Sequence, residues 1–488
     1  MATTFWPSIA AALRNTPHTT RAPMVWDPAS LLMSRFGFGI EAKTRADLAH
    51  YGLDDWWRQQ VAFGRGAGAG YAGHAGVAAQ GPLLKNSPAE VRAWLKANGN
   101  EYGWEAMDQL TRVTLGLQAW SHGQVYEAVV DFFANHSDGV WTTRHTMDRD
   151  VIRKHALGSY VGMLLASARN PAMLQYLSLA SSSKKAINEN YGRELLELHT
   201  VGVGAGYTEA DVQNSARILT GRSLDADYNY LYKPERHWVG PIKVMGFSHP
   251  NDTAEGGEAA GEAYLRYLAY HPATAQRLAY KMCVHFVSDN PSPTLVAELA
   301  RIYLRTGSQI VPMLAAILRS TEFWASRGAK VRRPAENLIA TVRALGVGPG
   351  DLSKSLQSLH WMSSAVGQVP LDWSAPNGYP AVASAWRSSG SLLNLWGYHR
   401  GLAQNWYDGF AKLDPLSLYG AVKPRTSGEA VIQLCGRLTG SRFPTAHLAA
   451  LQTFLDEPAS TPIADSRLRW YLPHLIPLIL DAPQHALR

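Results

Sequence analysis

The stretch Asn188–Gly221, NENYGRELLELHTVGVGAGYTEADVQNSARILTG, holds the densest set of chemically capable side chains in this sequence. On a helix of 3.6 residues per turn, Asn190, Glu194 and Glu197 share one stripe, at spacings of four and three. Glu189, Arg193 and Glu197 form an adjacent stripe, and Tyr191, Leu195 and Leu198 a third that is expected to meet the core. Acids flanked by Leu195, Leu196 and Leu198 border buried surface, where a carboxylate must be paired, metal-bound or shifted in pKa. Two readings are open. In one, Arg193 neutralises Glu189 and Glu197 in a structural network. In the other the acids are catalytic, and Glu194→Gln abolishes activity while leaving the fold intact. Under either reading Arg193→Ala is expected to destabilise, because it strands buried carboxylates. His199 falls in the last turn, where the helix dipole favours an imidazolium. Gly202, Gly204 and Gly206 then permit a tight loop that holds Tyr207. Thr208 with Glu209 and Asp211 reads as the N-cap of a second helix, which ends near Leu219 before Gly221.

Three kinds of function fit such a set. The leading expectation is a hydrolase that uses carboxylate acid/base chemistry on a polysaccharide or oligosaccharide, with no cofactor and no metal. Glycoside hydrolysis needs two carboxyl groups on opposite sides of the bond, one of them held protonated. Glu194 and Glu197 lie too close in sequence to bracket a sugar, so one of them needs an acid from elsewhere: Asp148, Asp150 or Glu189. Sixteen Trp and 21 Tyr offer stacking platforms, although aromatics also fill cores. The alternative enzyme is metal-dependent, drawing on Glu194, Glu197 and His199 with His136, His145 and His155. In a regular helix, however, His199 points away from the Glu194–Glu197 stripe. The third possibility is a binding or assembly protein. A nucleophilic serine hydrolase is not indicated, because no Gly-x-Ser-x-Gly elbow is present.

The elements that must position these residues read as all-α, a multi-helical array or barrel-like body with long irregular loops and at most a short hairpin. An irregular arm over 1–25 precedes a single large helical domain over 26–488. The glycine-alanine tract at 64–82 lacks the Lys-Ser/Thr of a phosphate loop and reads as a flexible linker or long loop. Residues 222–255, with His237 and Trp238, form the longest piece without helical periodicity. They are expected to cover the site as a lid or wall, with a hairpin around Trp238–Phe247. The WSAPNGYP segment at 373–380 is a turn-rich loop.

Composition narrows the classes further. The net charge of +7 is spread along the chain, with only short clusters such as Lys330–Arg333, so nucleic-acid binding is not expected. Two cysteines make no disulfide framework, and Cys283 reads as packing. No apolar run approaches a membrane span, and the N-terminus lacks a signal-peptide pattern. A soluble protein of undecided compartment and oligomeric state is the expectation.

With these residues in view, the chain resembles the bacterial family known as domain of unknown function 1800. NENYGRELLELHTVGVGAGYTEADVQNSARILTG is the signature, supported by DRDVIRKHALG, RNPAMLQYL, HPATAQRLAYKMCVHFVSDNP, ILRSTEFW, VRRPAENLIATVRALG and PNGYP. The resemblance implies a mostly helical protein. Family members often carry an export signal and are often encoded near sulfatase-like proteins, which implies extracytoplasmic polymers or glycans. It also adds Asn135, His136 and Asp148 as site residues. Two departures stand out. The family's Trp-His-Asn-His-Phe run is here Phe133-Ala134-Asn135-His136-Ser137, which removes one histidine. His237 is followed by Trp238, where the family pairs His with Asp.

Overall fold

The computed structural model describes residues 27–100, 102–134, 142–373 and 375–488. The arm over 1–25 lies outside the described residues, as do Asn135 and His136. The protein is predominantly α-helical, and the named strands form two small antiparallel pairs. Arg222–Leu224 (β1) pairs with Tyr230–Tyr232 (β2), and Ile242–Val244 (β3) with Phe247–His249 (β4). Met245 and Gly246, both at positive φ, make the two-residue turn between β3 and β4. That is the turn whose twist suits a tight hairpin. The expected hairpin is thus joined by a second one, between β1 and β2, whose turn Asp225 organises by accepting from the backbone of Asp227 and Asn229.

Seven helices carry or brace the candidate residues: Trp104–Trp120 (α1), Gln124–Ala134 (α2), Tyr160–Ser167 (α3), Asn190–Glu194 (α4), Glu209–Leu219 (α5), Pro272–Phe286 (α6) and Pro334–Leu345 (α7). Local chemistry explains their limits. Thr208 and Asp211 form a reciprocal capping box at the start of α5. Pro334 occupies the first turn of α7, and Gly346 ends that helix at φ 67. The sequence of α2, QVYEAVVDFFA, is apolar nearly all round, and every residue in it but Asp131 is buried. A single cluster of buried apolar residues runs from Ala29 to Leu480.

Two stretches depart from helix periodicity in the same way. Met147–Arg153 and Leu195–His199 are π-helical, the second continuing directly from α4. A π turn closes i to i+5 hydrogen bonds and rotates side chains relative to an α-helix. Leu196 therefore joins Tyr191 and Leu195 in the core, while Leu198 is only partly buried. The expected Tyr191–Leu195–Leu198 face is corrected accordingly.

The tract at 64–82 includes the expected loop, a run of turns over 66–74 between the end of the Leu53–Arg65 helix and a short Ala75–Ala79 helix. Two of its glycines sit against aromatic rings: a Cβ on Gly64 would meet Tyr126, and one on Gly68 would meet Phe63, within 3 Å. Residues 222–255 line neither the cavity beneath α2 nor the one between α3 and α6, so they form no lid there. They pack on α5, where Asn214 donates to the Lys243 carbonyl at 3.0 Å and Met245 N–H to Asp211 at 2.9 Å.

The crossing of α4 on α5 leaves no room for a side chain at Gly192, where a Cβ would stand 2.7 Å from Ala216 N. The obstacle is backbone and cannot rotate away. Gly192→Ala is expected to destabilise the fold by about 1–3 kcal/mol, as overpacked sites do. Urea denaturation of the variant beside wild type checks it.

Candidate active site: a buried acid cavity

A cavity lined by four acids lies beneath α2, not along α4. Its volume is about 520 Å³, counted out to its mouth. Helix α1 contributes Thr114 and Gln118, and α2 contributes Glu127 and Asp131; each pair is four residues apart and so lies on one helix face. Asp148 enters from the π-helical Met147–Arg153 segment and Glu336 from α7. Gln368, Leu371 and Tyr379, in and beside the turn-rich segment, close the wall. Leu371 holds a φ of 68, a left-handed conformation that a branched side chain rarely adopts. Such strain tends to collect at functional sites.

Arg153 is the centre of the charge arrangement. Its guanidinium donates to both oxygens of Glu127 at 3.1 Å and to Asp148 Oδ2 at 2.8 Å. Asp148 and Arg153 are five residues apart, a spacing that a π turn brings to one side of the helix and an α-helix would not. Tyr71 closes the set from the glycine-alanine tract: its hydroxyl donates to Asp148 at 2.9 Å, and its ring lies 4.8 Å from the guanidinium carbon. Glu127 and Asp148 are each 1% exposed.

One arginine cannot neutralise two buried carboxylates. Burial pushes Glu127 up to about 7 against the pull of Arg153, and Asp148 and Asp131 add to the rise. Near neutral pH, Glu127 is therefore divided between its acid and carboxylate forms. Across the cavity, Arg333 pairs with Asp131 at 2.5 Å and Glu336 at 2.8 Å, and Arg488 reaches Glu336 at 3.0 Å. Burial opposes ionisation there too, but Arg333 and Arg488 hold the Glu336 carboxyl well below the usual range. Two lining groups have a buried polar atom with no hydrogen-bond partner, Asp148 Oδ1 and Thr114 Oγ1, and Arg153 Nη2 behind them is a third. Such atoms are uncommon in folded proteins and mark a place where water or a ligand completes the bonding.

The arrangement along α4 differs from expectation. Arg193 does not bridge Glu189 and Glu197. It makes a two-pronged pair with Glu209 at 2.6 and 2.9 Å and stands 3.7 Å from Glu189, all at the surface. Glu194 and Glu197 are partly buried neighbours, and burial together with the Glu197 charge raises the Glu194 carboxyl above its ordinary value. Tyr207 donates to Glu197 across 3.4 Å. Asn190 is exposed, with its N–H held by Asn188. His199 faces a different, mostly apolar cavity. His237 is fully buried, with one ring nitrogen on the Thr220 carbonyl at 2.8 Å and the other on Asn251 at 2.9 Å. Trp238 is covered by the Arg217 guanidinium at 5.2 Å. These two are structural.

Of the acids expected to do chemistry, only Asp148 lines the acid cavity, and its partner is Glu127 rather than Glu194 or Glu197. The sequence held a signal for Glu127: two acids four residues apart inside an otherwise apolar helix. Among the described residues, no group of three or more His, Cys, Asp or Glu side chains is placed to hold a metal ion. The Lys330–Arg333 cluster is internal, with Lys330 on Asp289 and Arg332 on backbone carbonyls near the C-terminus.

A family model described as a protein of unknown function (DUF1800) matches residues 31–487, so the chain belongs to that family. Neither the curated proteins nor the solved structures contain a match to it.

The electrostatics carry two consequences for stability. A raised carboxyl pKa means the folded state holds the proton more tightly, so Glu127 lowers stability as pH rises from about 4.5 to about 7. Relative to Glu127→Gln, the wild-type unfolding free energy should fall across that window by at most about 3 kcal/mol, read from urea titrations at both ends. Arg193→Ala, by contrast, should change stability by less than about 1 kcal/mol in the same assay, since its pairs are exposed.

Proposed function

We propose that this member of the family is a hydrolase that uses carboxylate acid/base chemistry on a carbohydrate, with its reacting groups in the acid cavity. One observation carries the proposal. Two carboxyl groups in unlike surroundings line a single cavity: Glu127, raised to about 7 and bonded to Arg153 through both oxygens, and Asp148, paired through Oδ2 with its buried Oδ1 unpartnered. Glycoside hydrolysis needs that inequality, one group giving a proton to the leaving oxygen and the other acting at the sugar carbon or on a water.

In this scheme the acid form of Glu127 protonates the glycosidic oxygen. Asp148, held in place by Arg153 and Tyr71, acts through Oδ1 as base or nucleophile. Gln118 and Gln368 offer amide groups that can both donate to and accept from sugar hydroxyls. Glu194 and Glu197 are weaker candidates, because they lie on one short segment and the charges that act on Glu194 are those of Glu197 and Arg193. No acid among these faces the pair from a second element.

A screen of bacterial and plant polysaccharides for released reducing sugars tests the reading. Glu127→Gln and Asp148→Asn should each cut turnover by roughly 100-fold or more while circular dichroism stays native. Glu127→Gln should be largely spared on an aryl glycoside whose leaving group needs no proton. Glu194→Gln should remain within about twofold of wild type. Activity lost in Glu194→Gln but kept in Glu127→Gln would move the chemistry to α4. Wild type that releases no sugar from any polymer would sink the carbohydrate reading.

A further inference from the structure

A second cavity, of about 590 Å³ to its mouth, lies between the end of the Leu195–His199 turn, α3 and α6. Its wall is mainly apolar, with Phe133, Met147, Met163, Leu164 and Leu278. Its polar end is cationic. Arg277 and Lys281, one turn apart on α6, both line it, and His199 faces them.

The carbonyls freed at the end of the π turn are already satisfied. Thr200 Oγ1 donates to the Leu195 carbonyl at 2.6 Å, and Gly202 N–H to that of Leu196 at 2.8 Å. One guanidinium nitrogen of Arg277 donates to the Leu198 carbonyl at 3.1 Å, and the Tyr160 hydroxyl to that of His199. These bonds account for one nitrogen of Arg277 and leave Lys281 Nζ unused. Neither cation makes an ion pair or any other hydrogen bond among the described residues. Burial, then the Arg277 charge, pushes Lys281 down to about 7, while burial, then Lys281 and Arg277, pushes His199 down to about 4. The histidine is thus neutral, and the polar end of the cavity is formed by two partly exposed cations that no carboxylate meets as an ion pair among the described residues.

We propose that this cavity binds a small apolar carboxylate, a short alkyl or aryl carboxylate whose head sits between Arg277 and Lys281 and whose body lies against the methionine and phenylalanine wall. A planar carboxylate suits the guanidinium fork and an ammonium beside it. The largely apolar wall suits a carboxylate with an apolar body better than an inorganic phosphate. The Thr200 and Thr274 hydroxyls already donate to the Leu195 and Leu268 carbonyls, which leaves Ser167 as the remaining lining hydroxyl. The proposal is independent of the acid cavity.

Calorimetric titration of the full chain with butyrate, hexanoate, octanoate and benzoate tests it, with 1-octanol and octylammonium as neutral and cationic counterparts. At least one carboxylate should bind, the neutral analogue at least tenfold more weakly, and the cation not measurably. Lys281→Met removes the unpaired ammonium while keeping its bulk. It should keep the wild-type melting temperature or exceed it and lose carboxylate affinity at least tenfold. In wild type, the bound carboxylate should slow reductive methylation of Lys281, followed by peptide mass spectrometry, whether or not the variant folds. No heat with any of the four carboxylates would overturn the proposal. So would equal affinity for octanoate and octanol, or methylation of Lys281 at the same rate with and without saturating ligand.

Discussion

A single buried cation, Arg153, sets the terms for the acid cavity. It lies in the core with two carboxylates against it and a tyrosine ring over its face. A lone guanidinium there would be prohibitive, and one with two fully ionised partners would leave net negative charge in a medium that screens poorly. The arrangement resolves the imbalance through Glu127, whose carboxyl is raised until it is partly protonated near neutral pH. The same electrostatic necessity that lets the network fold produces a proton donor. The backbone around it is tied in as well: Arg153 reaches the Gly70 carbonyl at 3.0 Å, and Tyr126 donates to the Arg153 carbonyl at 2.7 Å.

The two π-helical segments serve the two cavities in the same manner. In Met147–Arg153 the wider turn brings Asp148 and Arg153 together. In Leu195–His199 it turns Leu196 into the core and brings Leu198 and His199 to the apolar cavity. A regular α-helix would have kept the expected stripes and built neither site. Such turns hold poorer hydrogen bonds than α turns and persist where tertiary contacts repay them. Thr200, Arg277 and Tyr160 do so at the second segment by capping its open carbonyls.

The distribution of cations is the other unifying feature. The net charge of +7 suggested a mildly basic surface, yet many of the arginines are internal. Arg35, Arg144, Arg153 and Arg222 are each no more than 2% exposed. Delocalised, weakly hydrated guanidinium groups tolerate burial when carbonyls and carboxylates surround them. In this protein they tie distant helices together, as where Arg333 spans α2 and α7 through Asp131 and Glu336. Arg277 and Lys281 stand apart from that pattern, since no carboxylate meets either of them as an ion pair among the described residues.

The helical class, the limits of the Glu209–Leu219 helix with its Thr208–Asp211 cap, and a hairpin near β3–β4 were legible in the sequence. These depend on periodicity, capping side chains and turn residues, all of which act over a few positions. The sequence also marked Asn188–Gly221 as unusual and placed Tyr207 in its loop. Only the tertiary structure decided which polar residues meet. Arg193 chose Glu209, because the exit loop folds α5 back beside α4. Asp148 chose Arg153, because the local helix widens to a π turn. What Glu127 and Lys281 face was not legible, because the surroundings of a charge on a largely apolar helix are set by neighbours far along the chain. Local pattern fixes how a segment coils, whereas burial and charge balance, which shift a pKa and open a cavity, exist only once the segments are packed.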